Sequence, residues 1–117
     1  MFFDPRQRRI LVHRDPVDMR KGHNGLSYIV THVVLRDLLS GDIFLFVSKD
    51  RKTVKAIVWD GSGLCVLHKR LNRGRVMSFA DLKPDHDITA QDFTLIIGGA
   101  RVTLQVPLRP DDNNRSK

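Results

Sequence analysis

The sequence predicts an α+β domain, a mostly antiparallel sheet of four to six strands with two helices, near 26–39 and 90–97, packed against one face. Three observations predict it. Residues 42–71 hold three β-rich runs joined by two short polar turns, the pattern of a meander. Residues 26–39 carry apolar side chains at three- and four-residue spacing, the stripe of an amphipathic helix. Residues 90–97 follow a capping threonine and stop at a glycine pair, which bounds a second helix. A chain of 117 residues, 41% of them hydrophobic, suits one domain with a modest core.

In chain order, residues 1–9 (MFFDPRQRR) read as an irregular basic lead-in and residues 10–107 as the globular domain. ILVHR, residues 10–14, is a short strand. Asp15-Pro16 opens a turn, because proline fixes its own φ and steers the preceding residue away from the helical region. Asp18 can cap a helical turn, and Gly22 and Gly25 keep the loop flexible or tightly bent. Leu26, Ile29, Val30, Val33, Val34 and Leu38 make the first apolar stripe, with a strand over 28–35 as the alternative. DIFLFVSKD, residues 42–50, is apolar on both faces and belongs in the sheet interior.

KDRK, residues 49–52, turns the chain into TVKAIVW, residues 53–59. Asp60-Gly61-Ser62-Gly63 turns it again into LCVLHKRL, residues 64–71, since glycine takes positive φ without a Cβ clash. Asn72 to Arg75 breaks the run, and VMSF at 76–79 is a candidate fourth strand. Thr89 is the N-cap of a helix over 90–97 that ends at Gly98-Gly99. RVTLQV, residues 101–106, alternates well and reads as an edge strand stopped by Pro107. The polar tail 108–117 has nothing to bury and is expected to be disordered.

Charge is concentrated. The formal net charge is +7, yet residues 49–75 alone carry eight basic against two acidic side chains. Residues 1–21 carry six against three, and the rest is slightly acidic. Such a field favours phosphate backbones, although a small protein also uses charge simply to stay solvated. Arg20, Lys21, Lys69, Arg70, Arg73 and Arg75 are the expected phosphate contacts, positioning a nucleic acid without reading its bases. Gly22 beside Arg20 and Lys21 would let backbone approach a phosphate. Trp59 is a candidate stacking platform, but it shares a strand face with Ile57 and reads more readily as sheet cover.

Chemistry is otherwise sparse. The five histidines have no zinc-motif spacing, and the lone Cys65 excludes a disulfide framework or a thiolate cluster. A single cysteine and the absence of a signal-like opening point to a reducing cytosol, hence a cytoplasmic protein. No run of 18 apolar residues is present, so no membrane span is expected. Asp15, Asp18, Asp42 and Asp60 are candidate metal-holding carboxylates, but Asp15, Asp18 and Asp60 sit where turns and caps need them and no third carboxylate is placed by the sequence. GSG at 61–63 does not lead a strand into a helix and so does not cradle phosphate. No catalytic residue, metal or cofactor is expected. Asp18, Gly22, Trp59, Asp60, Gly61 and Gly63 are expected to be turn or structural positions.

Three blocks carry a family resemblance. They are Asp15-Pro16-Val17-Asp18-Met19-Arg20-Lys21-Gly22 with Asn24-Gly25-Leu26, then Ser40-Gly41 with Ile43-Phe44-Leu45-Phe46, then Lys55 with Val58-Trp59-Asp60-Gly61-Ser62-Gly63-Leu64-Cys65 and the Lys69-Arg70-Leu71, Arg73-Gly74-Arg75 run. In this order they resemble the small accessory proteins called TnpB of the insertion-sequence-sixty-six class of bacterial transposable elements. The likeness covers about residues 10–79; beyond it Ile88 to Phe93 keeps the outline, while Gly98-Gly99 and RVTLQVPL diverge. The resemblance implies a non-catalytic role in transposition beside a separate, larger transposase that carries the catalytic acidic residues. The implied partners are DNA, including the element ends, and that transposase. The alternative is a subunit that docks on the transposase without touching DNA, through the edges of strands 42–48 and 101–106.

Overall fold

The five side chains of Ile43–Val47 are all buried, so this strand needs cover on both faces. The computed structural model, which describes residues 4–84 and 86–104, supplies it. Ile10–Val12 (β1), Ile43–Val47 (β2), Thr53–Trp59 (β3), Leu64–Arg70 (β4) and His86–Ile88 (β5) form one sheet in the order β4-β3-β2-β1-β5. The predicted meander is β2-β3-β4, antiparallel throughout. β1 joins β2 in parallel and β5 pairs antiparallel with β1.

A parallel pair cannot be closed by a tight turn and requires a crossover. The chain makes it with helix α1 (His23–Tyr28), a π-helical turn (Ile29–Val33) and a 3-10 turn (Leu38–Ser40). Leu26, Ile29, Val30 and Val34 from this crossover pack on Leu11, Phe44, Phe46 and Ile57. Helix α2 (Ala90–Ile97) covers the other face, where Phe93 and Ile96 meet Ile10, Val12, Ile43 and Leu45. Thr89 caps α2 as expected, its hydroxyl accepting the Asp92 amide at 3.0 Å. Gly99, at φ +88°, ends it.

Five expectations change. The helices lie on opposite faces of the sheet rather than on one, because β2 is apolar on both and the crossover fills only one. The first helix starts at His23 and its helical run stops at Val33, short of 39, because Leu35 turns left-handed at φ +59°. Residues 101–104 form no strand; Val102 and Leu104 pack against the α2 face instead, and 105–106 lie outside the described residues, as does the tail from 108. The edge beside β1 belongs to β5, which the sequence presented only as the approach to α2. VMSF is likewise not a strand, but Val76 and Phe79 from it are fully buried in the α2-side core. Of the lead-in, Pro5–Gln7 is a 3-10 turn capped by Asp4.

Phe79 thus makes an irregular segment part of the core, at 1% exposure. Replacing it with alanine removes a buried aromatic ring, and we expect a loss of about 3–5 kcal/mol in denaturant unfolding. A loss near zero would show that the 76–79 segment does not seal this face.

Candidate nucleic-acid interface

In a three-strand meander the first turn and the end of the third strand fall at the same end of the sheet. Here these are the turn at 49–52 and the Arg70 end of β4. Ser48 closes the turn by bonding Thr53 through both backbone and hydroxyl. Asp50 sits inside it, accepting the Ser48 hydroxyl at 2.7 Å and the Lys52 amide at 3.0 Å. Those bonds first, then the charges of Arg70 and Lys52, hold the Asp50 carboxyl below its ordinary range. Arg51 adopts φ +62°, which turns its carbonyl to accept the Val76 amide at 2.7 Å. Its guanidinium bonds back to the Val76 carbonyl, and the Leu71 amide donates to the Lys52 carbonyl at 2.8 Å. The turn and the 71–76 segment are therefore stitched into one unit.

That unit encloses an open cleft of 360 Å³ lined by Lys52, Arg70, Leu71, Asn72, Arg73 and Gly74. Three cations and an amide side chain thus surround one concave space. Arg70, Arg73 and Arg75 are exposed, Arg75 directly preceding the buried Val76. Lys69 stands apart: it pairs with Val54 and so lies on the α2 face, whereas Arg70 pairs with Thr53 on the α1 face. Lys52, Arg51 and Asn72 were not singled out from the sequence. The signal for Lys52 and Arg51 was the meander itself, which returns the third strand to the first turn.

Arg20 and Lys21 occupy the loop that leads into α1. Asp18 accepts the Arg20 amide at 2.9 Å and grips its guanidinium at 3.0 and 2.6 Å. The guanidinium bonds first, then the amide, bring the Asp18 carboxyl down to about 2. Asp18 therefore caps the turn at 18–21 and not helix α1, whose N-cap is Gly22 with no side-chain bond. Gly22 faces open space, while a Cβ on Gly25 would sit 2.9 Å from the Lys21 Cβ. Beneath this loop lies Lys55, only 7% exposed, donating to the Met19 and Lys21 carbonyls at 2.7 Å each. It pairs with His68 on the same face as Arg70.

The Asp60–Gly63 turn is at the other end of the sheet. Trp59 lies six residues along β3 from Thr53, roughly 20 Å at strand rise. It is half-buried on the α1 face, remote from the basic cleft, and its carbonyl accepts Arg8 Nη1 at 3.0 Å. Asp60 accepts the Ser62 and Gly63 amides at 2.8 and 2.9 Å and the Ser62 hydroxyl at 3.0 Å. Gly61 takes φ +105° to allow this, and Gly63 closes the loop through its carbonyl to the Asp60 amide. Cys65 Sγ lies 3.5 Å from Asp60; desolvation and then that carboxylate push its thiol up. Among the described residues, no three of His, Cys, Asp or Glu gather where they could hold a metal ion, and no helix is long and apolar enough to cross a membrane.

The family model described as IS66 Orf2 like protein matches residues 8–106, so the likeness runs past residue 79 through β5 and α2. Uncharacterized protein y4jC of Sinorhizobium fredii (strain NBRC 101917 / NGR234) is 37% identical over 92 residues, 78% of each chain. Uncharacterized protein y4hO of the same strain is 36% identical over 67 residues, 57% of this chain and 58% of its own. No solved structure matches.

The Asp60 turn has a pH signature. Its carboxyl is lowered from 3.8 to about 2, chiefly by the Ser62 amide and then by the Ser62 hydroxyl and Gly63 amide. A carboxylate favoured in the fold stabilises above its unfolded value and loses that contribution as pH falls through its folded value. Melting temperature should therefore fall between about pH 4 and about pH 2, and less steeply in Asp60→Asn, which keeps the acceptor but gains no proton. Equal slopes for the two proteins would remove the turn from the acid response.

Proposed function

The chain belongs to the IS66 Orf2-like family, and on that premise we propose that it is a non-catalytic accessory protein of DNA transposition that contacts DNA phosphates. The observation that carries the reading is the cleft of Lys52, Arg70, Asn72 and Arg73, with Arg75 beside it. Positive groups from two segments converge there, and hydrogen bonds between the segments hold them before a ligand arrives. Pre-ordered donors lose less freedom on binding. Such contacts fix register and orientation without reading bases. Arg20 and Lys21 extend the surface along the α1 face, and Lys69 is a lesser contributor from the opposite face. The single cysteine supports a cytoplasmic site of action.

A second reading has its own observation. Tyr28, Val33, Leu35 and Leu39 are 62%, 57%, 77% and 58% exposed, all on the crossover between β1 and β2. Exposed apolar groups concentrated on one segment favour a protein partner, for which a separate transposase is the candidate. β2 has neighbours on both sides and residues 101–104 form no strand, so neither presents a free sheet edge for such a partner.

Titration against duplex DNA by fluorescence anisotropy at two salt concentrations separates these readings. Binding should weaken steeply with salt. Arg70→Ala with Arg73→Ala should lower affinity by about tenfold or more on any sequence and reduce the salt slope by about 2. No binding by the wild-type protein at low salt, or unchanged affinity in the double variant, overturns the phosphate reading and favours the crossover patch.

A further inference from the structure

The buried lysine in the middle of the sheet is the group that the basic cleft does not use. A lysine at 7% exposure on a central strand is unusual, since desolvating an ammonium demands partners. The partners of Lys55 are two main-chain carbonyls, Met19 O and Lys21 O, both at 2.7 Å. They flank Arg20, so one ammonium ties down the backbone on either side of that residue. Two further devices act on the same three residues. Asp18 takes the Arg20 guanidinium and amide, and Gly25 leaves room for the Lys21 stem, which a Cβ would meet at 2.9 Å. The charges so held are outside: the Arg20 side chain is 91% exposed and Lys21 is exposed.

The fixed loop shares a face with the cleft. Lys55 pairs with His68, and Arg70 stands two residues farther along β4, roughly 7 Å. We propose that Lys55 is a positioning residue that fixes the Arg20–Lys21 turn on the α1 face as a second phosphate-contacting arm beside the Arg70–Arg73 cleft. The proposal rests on the phosphate reading above. Lys55 itself touches no phosphate. It removes the ordering cost that a free three-residue turn would incur on binding. The Asp18 pair does not oppose this role, because a solvent-exposed pair exchanges readily for a phosphate partner.

The test is a double-mutant cycle on duplex DNA at fixed low salt. Lys55→Met keeps the stem and volume without the charge. It should weaken binding by about tenfold in the wild-type background and leave affinity unchanged in the Arg20→Ala, Lys21→Ala background. A merely structural role for Lys55 would weaken binding equally in both, and that result overturns the proposal. So does full affinity in either Lys55→Met or the Arg20/Lys21 variant while Arg70→Ala/Arg73→Ala still loses it. If that last variant binds like wild type, the phosphate reading itself has failed, a separate outcome. Should Lys55→Met not fold, Lys55→Gln, which keeps a polar donor, enters the same cycle with the same criterion. As an independent readout, trypsin should cut after Arg20 and Lys21 faster in the Lys55 variant than in wild type, and equal rates would argue against the tie.

Discussion

The whole architecture answers one constraint: a central strand with no polar face. IFLFV leaves nothing along β2 that tolerates water, and Ile43–Val47 is buried from end to end. A sheet built around such a strand must be covered on both sides. The chain meets the demand with two different devices. The β1-to-β2 crossover lies over one face because a parallel connection must pass there. Helix α2, arriving after β5, takes the other, with Val76 and Phe79 sealing what the helix does not reach. Each later feature inherits this arrangement, including which cations share a face.

The basic end of the molecule follows from strand parity. Neighbouring residues on β4 face opposite ways, so the adjacent cations Lys69 and Arg70 are divided between the two faces. What brings charges together is the loop beyond, where the 71–76 segment donates backbone amides to the carbonyls of the 49–52 turn. Asp50 within that turn is not a defect in a basic surface. Its carboxylate shapes the turn through Ser48 and the Lys52 amide and so helps set where Lys52 stands.

Much of this was legible in the residues. The meander, the Thr89 cap and the Asp60 turn are local decisions, made by alternation, a hydroxyl and a carboxylate within a few positions. The failures are tertiary. Nothing in LSYIVTHVVLRDLL says that the helix stops near Val33, because the left-handed turn at Leu35, a leucine at φ +59°, carries no glycine or asparagine to announce it. RVTLQV alternates as a strand should, yet the edge beside β1 goes to the three residues His86–Ile88. For the candidate site, the charge window contains the segment that lines the cleft, and Trp59 is half-buried on the sheet as its alternation with Ile57 suggests; what linear order does not show is that Lys69 and Arg70 part to opposite faces and that Lys52 comes to stand beside Arg70. Lys55 had a readable sign: a cation alternating in step with Ile57 on a central strand is out of place unless something claims it.

The open edge of the sheet has a consequence of a different kind. β4 is the outermost strand on its side, seven residues long, with half-buried apolar side chains over Leu64–Leu67. Such an edge invites a second chain to extend the sheet. The strand ends in His68, Lys69 and Arg70, all exposed, and Arg73 and Arg75 follow. A second copy pairing there would add its own cations to the joint sheet, and the increased like charge counts against such pairing. Charge at the end of an exposed edge strand is a common means by which soluble sheets discourage edge-to-edge pairing, so the same cations have a physical use that does not depend on a ligand.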